Sequence, residues 1–487
     1  MALGAQNGCP CVIERERTVF LPGRKLTLAG ALGVAPREIV ALVGAGGKTS
    51  ALLQLAKELT LQGGRVLVTT TTHIYPPSEG TACTVVEDSF QALVEAVGAA
   101  IKHHSLIIAA RGRDAEGKLT GIEPAWIGKL REELPLTYLL VEADGARGRA
   151  FKAPAEHEPV IPSATDRVVP VVGLSVIGQP LSAELVHRPE RVAALAAAQL
   201  GDPVTPAMVA AVLRHPAGTT RGAPAGARIV PLLNQADDDK RLESGQQIAR
   251  ELRPWGATRI VIAALREATP VRELAVAISA GDASMPSPVV AAIVLAAGEG
   301  RRMGSLKLAL RLGTKTLLQH VTEAALAAPV QEVVVVLGHG AAELKGEVPG
   351  DKRLRTVYNP DYAQGQSASL RVGIESLSPQ TEAALFLLGD QPLVRPESIA
   401  ALIDTFRNCR TPLIQPLYRG VPGHPVLFAR ALFPELLQVT GDRGGRDVLI
   451  RHREDVAKVD LDLEAPEDVD TKEDYLRLLK DRADFEL

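Results

Sequence analysis

The fold of the C-terminal part of the chain is decided by residues 290–304, VAAIVLAAGEGRRMG, which precede Lys307. The run Val290–Leu295 is apolar without interruption, which is typical of a strand buried on both faces of a sheet. Small residues follow, and they allow a tight turn whose backbone N–H groups point at phosphate oxygens. The residues predicted to form this turn are Leu295, Ala296, Ala297, Gly298 and Gly300. We therefore predict a parallel strand that ends in a phosphate-binding loop.

Charged residues near this turn, and after a second apolar run, indicate what it binds. Arg302 offers a planar fork and Lys307 a point charge, and both suit a triphosphate. Asp390 follows the apolar run Ala384–Leu388, where a carboxylate is well placed to hold Mg²⁺. Asp470 is the best candidate for a second metal contact, although Asp468 is close to it in sequence. Each feature alone also fits a capped turn with solvated charges, but together they favour a nucleotide and a divalent metal. The predicted catalytic residues are Asp390, Lys307 and Arg302.

Similar apolar runs alternate with helical periodicity on both sides of a segment rich in small residues and proline, residues 281–288. This segment has the composition of a linker. Alternating strands and helices predict parallel sheets with ligands at the carboxyl ends of the strands. We therefore expect two doubly wound α/β domains, residues 1–280 and 289–487. The runs predicted as strands are Ile39–Val43, Arg65–Thr70, Leu106–Ala110, Tyr138–Val141, Val168–Val172, Ile229–Leu233, Arg259–Ala263, Val290–Leu295, Glu332–Leu337, Ala384–Leu388 and Leu413–Pro416.

Composition narrows the functional classes. The chain has 487 residues and a formal net charge of −3, so no global field attracts nucleic acid or an anionic membrane. No apolar run reaches the length of a membrane span, and acidic residues interrupt the first twenty residues. Four cysteines, including the pair Cys9 and Cys11, are too few and too scattered for a disulfide framework. We expect a cytoplasmic protein with reduced thiols.

A second phosphate loop is predicted near the N-terminus, where Ile39–Val43 runs into Gly44-Ala45-Gly46-Gly47-Lys48-Thr49. The standard phosphate loop has glycine where Leu42 stands, so that pattern fails and only the shorter form Gly-x-x-Gly-Lys-Thr is present. Backbone N–H groups at the start of the following helix would hold phosphates, with charge from the lysine and Mg²⁺ contact from the threonine. The predicted ligand-binding residues are Gly44, Gly46, Gly47, Lys48 and Thr49. A capped glycine-rich turn without a ligand is the alternative.

Two later strand ends carry polar groups that fit this loop. The run Tyr138–Val141 ends at Glu142 and Asp144, carboxylates placed to contact Mg²⁺ or water. Asn234 and Asp237 follow another run and resemble the base-reading motif of GTPases. Gln235 stands where that motif has lysine, so guanine specificity is not implied. We predict a second NTP, ATP or GTP, in this half.

The C-terminal motifs together resemble the molybdopterin nucleotidyltransferase family. Its closing motif reads Asp-Ile-Asp-Thr-Pro-Glu-Asp-Tyr, and Lys472 replaces the proline here. The resemblance implies a Rossmann-like nucleotidyltransferase domain of the nucleotide-diphospho-sugar transferase type. The matching segments occur in family order: 295–298, 302–304, 365–370, 389–392, 423–425, 441–446 and 468–475.

Guanine-using members of that family usually read Leu-Ala-Gly-Gly where this chain has Leu295-Ala296-Ala297-Gly298. The form found here resembles the cytidylyltransferase branch. The resemblance implies Mg²⁺-dependent transfer of CMP from CTP to molybdenum–molybdopterin, with release of pyrophosphate. His424 is expected to line the pterin side. Asp442 and Arg446 share that expectation or form a loop ion pair. Ser367 and Ser369 either contact base or ribose or cap a helix.

The N-terminal motifs, 44–49, 68–77, 141–146 and 233–237, are similar to those of the selenium cofactor biosynthesis family. Members of that family are accessory factors of selenium-dependent molybdenum hydroxylases. The resemblance implies a P-loop-like NTPase domain and a target hydroxylase of the xanthine dehydrogenase type. It implies no particular reaction.

Three hypotheses follow from these motifs. The first is a bifunctional enzyme that attaches CMP to the cofactor and uses a second NTP during hydroxylase maturation. The second is a nucleotidyltransferase for another phosphate or alcohol substrate. In the third, the N-terminal half is a nucleotide-gated chaperone.

Overall fold

The computed structural model describes residues 17–76, 82–278, 287–298, 303 and 306–483. The contacts between residues divide the chain into two units, one formed by Pro22–Ala277 and the other by the described residues before Pro22 and from Ile278 onward. Most of the predicted linker, residues 281–286, lies outside the described residues, as do Cys9, Cys11, Gly300 and Arg302. Among the described residues, no helix is both long and apolar enough to cross a membrane.

The first unit, Pro22–Ala277, is built on one large mixed sheet and two small sheets, with helices between the strands. The strands up to its end are β1 (Arg17–Pro22), β2 (Ile39–Gly44), β3 (Val66–Thr70), β4 (His73–Ile74), β5 (Cys83–Val86), β6 (Leu106–Ala110), β7 (Gly112–Arg113), β8 (Leu119–Thr120), β9 (Tyr138–Glu142), β10 (Phe151–Lys152), β11 (Arg167–Gly173), β12 (Val186–His187), β13 (Arg228–Ile229), β14 (Leu232–Asn234), β15 (Arg259–Ala263) and β16 (Val271–Ile278). The helices are α1 (Leu28–Leu32), α2 (Lys48–Leu61), α3 (Phe90–Ala100), α4 (Pro124–Glu133), α5 (Pro189–Ala196), α6 (Pro206–Arg214) and α7 (Asp239–Leu252).

The sheet of the first unit runs in the order β5-β6-β3-β9-β2-β11-β14-β15-β16. Strands β2, β3 and β9 are each buried along their whole length, which explains the uninterrupted apolar runs. All seven runs predicted in this half form strands. Because β2 and β9 are parallel neighbours, the loop after β2 and the carboxylates after β9 meet at one edge of the sheet.

Two features of this sheet differ from the prediction. The single strand expected at Ile229–Leu233 is divided into β13 and β14, because Pro231 lacks the N–H group that a continuous ladder needs. The sheet is also not wholly parallel, since β16 pairs antiparallel with β15. Such an antiparallel edge strand is common on parallel sheets.

The second unit has its own mixed sheet. Its further strands are β17 (Val290–Ala296), β18 (Arg311–Leu312), β19 (Lys315–Thr316), β20 (Glu332–Leu337), β21 (Leu354–Tyr358), β22 (Ala383–Leu388), β23 (Leu413–Tyr418), β24 (Val421–Pro422), β25 (Val426–Ala429) and β26 (Val456–Leu461). Its helices are α8 (Leu317–Ala327), α9 (Ala341–Gly346), α10 (Gln366–Glu375), α11 (Pro396–Cys409), α12 (Phe433–Leu436), α13 (Arg446–Arg451) and α14 (Lys472–Ala483). The sheet runs in the order β21-β20-β17-β22-β25-β23-β26-β1.

In this sheet β17 lies between its parallel neighbours β20 and β22. The turn after β17 and Asp390 after β22 therefore meet at one edge of the sheet. This agrees with the prediction made from the four apolar runs of this half. Strand β25 is antiparallel to both β22 and β23, so the parallel order expected from the alternating pattern is interrupted.

The first described strand, β1, belongs to the second unit. It pairs antiparallel with β26, with Val19 opposite Val459, and Val19 and Phe20 are fully buried. An ion pair joins Arg17 to Asp404 on α11 at 3.5 Å. A domain limit near residue 280 does not account for this strand, because strand pairing between distant segments leaves no mark on local composition.

Candidate functional site

The polar groups at the strand ends of the second unit converge on Lys307. Its Nζ donates to Asp390 Oδ2 at 2.7 Å and to Asp470 Oδ1 at 3.0 Å. Burial alone would lower the pKa of Lys307, but the two carboxylates hold it above its ordinary value. Lys307 thus contacts both Asp390, which is also predicted to be catalytic, and Asp470, the second predicted metal contact.

The closing segment of the chain is tied to the end of β22. Val469 N–H donates to Asp390 O at 3.0 Å, and Gln391 Nε2 donates to Asp468 Oδ1 at 2.8 Å. Burial raises the pKa of Asp468, and the charges of Asp390 and Asp470 raise it further. The excess of negative charge at this edge favours a cation.

His424 lies close to the same carboxylates. Burial lowers its pKa, while the charges of Asp468 and Asp390 oppose that shift. Its carbonyl accepts a hydrogen bond from Tyr418 Oη at 2.6 Å. Its Nδ1 is buried and has no hydrogen-bond partner among the described residues. A buried imidazole nitrogen without a partner is well suited to meet a polar ligand group.

The described part of the turn after β17 packs closely against β20. Ala297 is buried, its carbonyl accepts the N–H of His339 at 3.3 Å, and a side chain at Gly338 would clash with it. Leu295 is half-buried, Ala296 is buried and Gly298 is exposed. Ala296 and Ala297 are therefore buried in the turn, whereas Gly298 is exposed at the sheet edge.

The two predicted serines and Asp442 meet at the start of α10. Ser367 and Ser369 are buried in this helix, and Ser369 Oγ accepts from Asn359 Nδ2 at 2.9 Å. Gly365 is the N-cap, so the capping role considered for the serines is wrong. Asp442 lies beside Gly365, where a Cβ would clash with it.

Arg446 begins α13 and is exposed. Within the described part of the chain, no ion pair joins it to Asp442. Arg443 pairs with Asp447 instead, at 3.2 Å. The loop ion pair considered from the sequence is therefore not formed between the two residues that were expected to make it.

In the first unit, the loop before α2 uses several of its own N–H groups within the protein. Gly44 N–H donates to Asp144, Ala45 N–H to Val171 O at 2.9 Å, and Gly46 N–H to Arg149 O at 2.9 Å. These N–H groups are therefore not available to phosphate, contrary to the expectation for Gly44 and Gly46. The N–H groups left for an anion are those at the first turn of α2, which begins after Gly47.

Lys48 and Thr49 both face the carboxylates after β9. Lys48 Nζ donates to Gly44 O at 2.7 Å and lies 3.2 Å from Asp144 Oδ1. Thr49 Oγ1 donates to Glu142 Oε2 at 2.9 Å. Burial raises the pKa of Glu142, although Lys48 and Thr49 act in the opposite direction. All four predicted residues thus meet at one strand edge.

Asn234 braces the loop. Its Nδ2 donates to Gly46 O at 2.7 Å, and its Oδ1 accepts the N–H of Leu265 at 3.1 Å. Asp237 is instead paired with Arg241 at 3.0 Å. Asn234 therefore lies against the predicted phosphate loop. Asp237 instead lies just before α7 and forms a half-exposed ion pair.

Comparison with known proteins identifies both units. A family model described as YqeC protein matches residues 40–190, and a MobA-like NTP transferase domain matches residues 292–456. The protein named "Uncharacterized protein YqeC" of Escherichia coli (strain K12) is 36% identical over 208 residues, 40% of this chain and 75% of that protein. The chain joins a YqeC-family domain to a MobA-like NTP transferase domain.

Two relatives align with about two fifths of the chain. The molybdenum cofactor cytidylyltransferase of Escherichia coli (strain K12) is 28% identical over 196 residues, 38% of this chain and 97% of that protein. The nicotine blue oxidoreductase of Paenarthrobacter nicotinovorans is 30% identical over 209 residues, 41% of this chain and all of that protein. The MobA-like domain is a nucleotidyltransferase, and its α/β sheet is the fold of that class.

Three residues of the YqeC-family domain were missed from the sequence. Lys152 Nζ lies 2.9 Å from both Asp144 Oδ2 and Glu158 Oε2, and Arg188 NH1 lies 2.8 Å from Glu158 Oε2. They stand on separate short segments without periodicity. No local signal in the sequence connects them with the loop.

The donor sets at both strand edges suit a hard divalent cation. Carboxylate and hydroxyl oxygens are the ligands Mg²⁺ prefers, and it usually takes one or two from the protein and the rest from phosphates and water. Within the described ranges, no group of three or more acidic, histidine or cysteine side chains could hold an ion alone. Asp390 with Asp470, and Thr49 with Glu142, fit such a shared site.

Gly47 provides a test of the loop in the YqeC-family domain. Its φ is 121°, and a Cβ there would clash with Asn234 Nδ2. Gly47→Ala should lower the free energy of unfolding of this domain by about 3 kcal/mol, through backbone strain and the displaced amide. Both tryptophans, Trp126 and Trp255, lie in this domain, so their fluorescence during urea unfolding reports on it.

Gly63→Ala is the matched control for that measurement. Gly63 also has a positive φ, 84°, but a Cβ there meets nothing within 4 Å. Gly63→Ala should lower the free energy of unfolding by only about 1–2 kcal/mol. Equal losses from the two substitutions would contradict the bracing role of Asn234.

Proposed function

We propose that the MobA-like domain transfers CMP from CTP to molybdenum–molybdopterin and releases pyrophosphate, forming the cytosine dinucleotide cofactor. The observation that carries the proposal is the position of Lys307 between Asp390 and Asp470. It unites a phosphate-directed cation with the two carboxylates that suit a divalent metal. The likeness to a molybdenum cofactor cytidylyltransferase supports this choice of substrate.

The chemistry asks mainly for position and charge. The terminal phosphate oxygen of molybdopterin forms a bond to the α-phosphorus of CTP, and the bond from that phosphorus to the pyrophosphate oxygen breaks. The attacking oxygen is already anionic, so no strong general base is needed. Mg²⁺, where bound, would neutralise charge on the nucleotide oxygens.

The residues of the chain have separate tasks in this proposal. Asp390 and Asp470 would hold the metal, while Lys307 and the N–H groups after Ala296 would stabilise the leaving pyrophosphate. Arg302, which lies outside the described residues, is proposed to share that task. His424 would bind a polar group on the pterin side through its unpaired Nδ1. Ser367 is proposed to face base or ribose.

A second candidate is a nucleotidyltransferase for another phosphate or alcohol substrate. The relative named as an oxidoreductase, aligned over its full length, supports a substrate other than molybdenum–molybdopterin. Incubating the full chain with molybdenum–molybdopterin, Mg²⁺ and each NTP, then identifying the product by mass spectrometry, separates the candidates. A nucleotide adduct only on other acceptors would support the second candidate.

Asp390→Asn should reduce nucleotidyl transfer by about 10²–10³-fold, because a carboxylate that positions the metal stabilises the transition state by several kcal/mol. Initial rates of pyrophosphate release measure the effect. The control is Asp351→Asn, since Asp351 pairs with Arg353 at the amino end of β21. Near-normal turnover by Asp390→Asn would show that the metal site lies elsewhere.

CTP should be used in preference to GTP. Ala297 occupies the position where guanine-using relatives carry glycine, and it packs against Gly338. We expect Ala297→Gly to narrow the preference, because removing the methyl group loosens this contact. The measurement is kcat/KM for each nucleotide with both proteins. Equal or better turnover of GTP by the unmodified chain refutes the assignment.

For the YqeC-family domain we propose Mg²⁺-dependent binding of ATP or GTP at the start of α2, in a P-loop-like arrangement. Lys48, Thr49 and Glu142 support this proposal by their convergence. The domain would then serve maturation of a selenium-dependent molybdenum hydroxylase of the xanthine dehydrogenase type. The competing proposal is a nucleotide-gated chaperone. Steady-state NTP hydrolysis with and without a target hydroxylase distinguishes catalysis from gating.

Lys48→Ala should weaken NTP binding by the YqeC-family domain by about tenfold or more, since a buried cation near the phosphate is lost. Cytidylyl transfer should stay within about threefold, because Lys48 supplies a local charge in its own domain and the MobA-like domain has its own lysine and carboxylates. Nucleotide titration and the pyrophosphate assay measure the two effects on one protein. A large loss of cytidylyl transfer would indicate a single composite site instead.

A further inference from the structure

The two carboxylates beside the phosphate loop have very different surroundings. Asp144 is buried, and both of its oxygens lie within 3.1 Å of the Gly44 N–H nitrogen. Its Oδ1 also lies 3.2 Å from Lys48 Nζ, and its Oδ2 lies 2.9 Å from Lys152 Nζ. Two ammonium groups and a backbone donor thus occupy this carboxylate.

The ammonium group of Lys152 is likewise bound by groups of the protein on all sides. Its side chain is fully buried on β10, and its Nζ donates to Gly145 O at 2.6 Å and Glu158 Oε2 at 2.9 Å, besides pairing with Asp144. An ammonium group has three donors, so none is left for a ligand. Lys152 therefore holds these three neighbouring groups in place.

Glu158 completes the far end of this chain of charges. Arg188 contacts both of its oxygens, at 2.8 and 3.3 Å. Burial would raise the pKa of Glu158, but Arg188 and Lys152 hold it at about 2. The anion therefore stays charged and keeps Lys152 in place, which in turn keeps Asp144 against the loop.

Glu142 is held differently. Its Oε2 accepts from Thr49 Oγ1 at 2.9 Å. Its Oε1 is 4.0 Å from Lys48 Nζ, which is too far for a hydrogen bond. Among the described residues, no hydrogen bond reaches this second oxygen, which lies next to the threonine that suits Mg²⁺ and near the first turn of α2.

We propose that Glu142 is the carboxylate that acts on the metal–nucleotide side of the loop, and that Asp144 is an anchor, fixed by the positioning residue Lys152, that holds Gly44 and Lys48 in place. This division rests on the NTP site proposed above. It replaces the symmetrical metal role expected for Glu142 and Asp144 with two separate tasks.

The test compares Glu142→Gln, Asp144→Asn and Lys152→Met in the full chain. Binding of fluorescent ATP and GTP analogues is titrated with Mg²⁺ and with EDTA. Glu142→Gln should bind within about twofold of the unmodified chain in EDTA, yet lose the gain from Mg²⁺, because only the metal contact is removed. Asp144→Asn and Lys152→Met should lose about tenfold or more under both conditions, because Lys48 and the loop are displaced.

Melting followed by tryptophan fluorescence tests the anchor without any nucleotide. Asp144→Asn and Lys152→Met should each lower the Tm by several degrees, since each removes a buried ion pair and leaves the charge of its former partner less compensated. The double variant should melt no lower than the worse single variant, because the two residues act as one unit. Glu142→Gln should not lower the Tm. Lys152→Arg, which keeps the charge, should restore part of the Mg²⁺-independent binding.

Each outcome decides a separate point. If the unmodified chain binds neither nucleotide, the proposed NTP site is wrong and the role of Glu142 with it, while the melting data still judge the anchor. If the chain binds nucleotide but Asp144→Asn loses only the Mg²⁺ gain, the division of tasks is overturned. Normal binding by Lys152→Met, or additive Tm losses in the double variant, would overturn the positioning role.

Discussion

A lysine ammonium placed between strand-end carboxylates is the interaction on which both sites depend. In the MobA-like domain, Lys307 joins Asp390 after β22 to Asp470 in the closing segment. These residues are far apart in the chain. The parallel pairing of β17 with β22 and the hydrogen bonds that tie the closing segment to the end of β22 bring them to one edge. Without that ammonium, the clustered carboxylates would repel one another. The ion pair therefore marks the place where we propose that phosphate and metal bind.

The two domains use the same pairing in different environments. In the MobA-like domain the side chain of Asp470 is 52% exposed, so its pair with Lys307 is screened and is expected to contribute little to stability. A substrate or metal can replace such a contact at small cost. In the YqeC-family domain Lys48, Asp144 and Lys152 are buried, and breaking one pair there leaves an uncompensated charge. That network suits a rigid support better than an exchangeable ligand set.

This contrast explains why the sequence motifs predicted which residues meet at the strand ends better than they predicted which donors are already used. The apolar runs predicted eleven strands, and the acidic and basic residues just after them were found at the sheet edges because parallel strands place their carboxyl ends together. The same motifs treated Gly44 and Gly46 as phosphate ligands, whereas their N–H and C=O groups are used by Asp144, Arg149 and Asn234. A motif records which residues are near a site but not which of their donors are already bound.

The sequence by itself determined the two α/β domains, the strand ends at which charged residues gather, and the YqeC and MobA-like families of the two domains. Each of these depends on short-range pattern: uninterrupted apolar runs, small residues in turns and charges directly after strands. Tertiary structure alone decided that β1 pairs with β26, that Lys152 reaches Asp144, and that no hydrogen bond from a described residue reaches the second oxygen of Glu142. The first outcome depends on strand pairing between segments far apart in the chain. The other two depend on where a buried ammonium or carboxylate group finds its partners, which local sequence pattern does not encode.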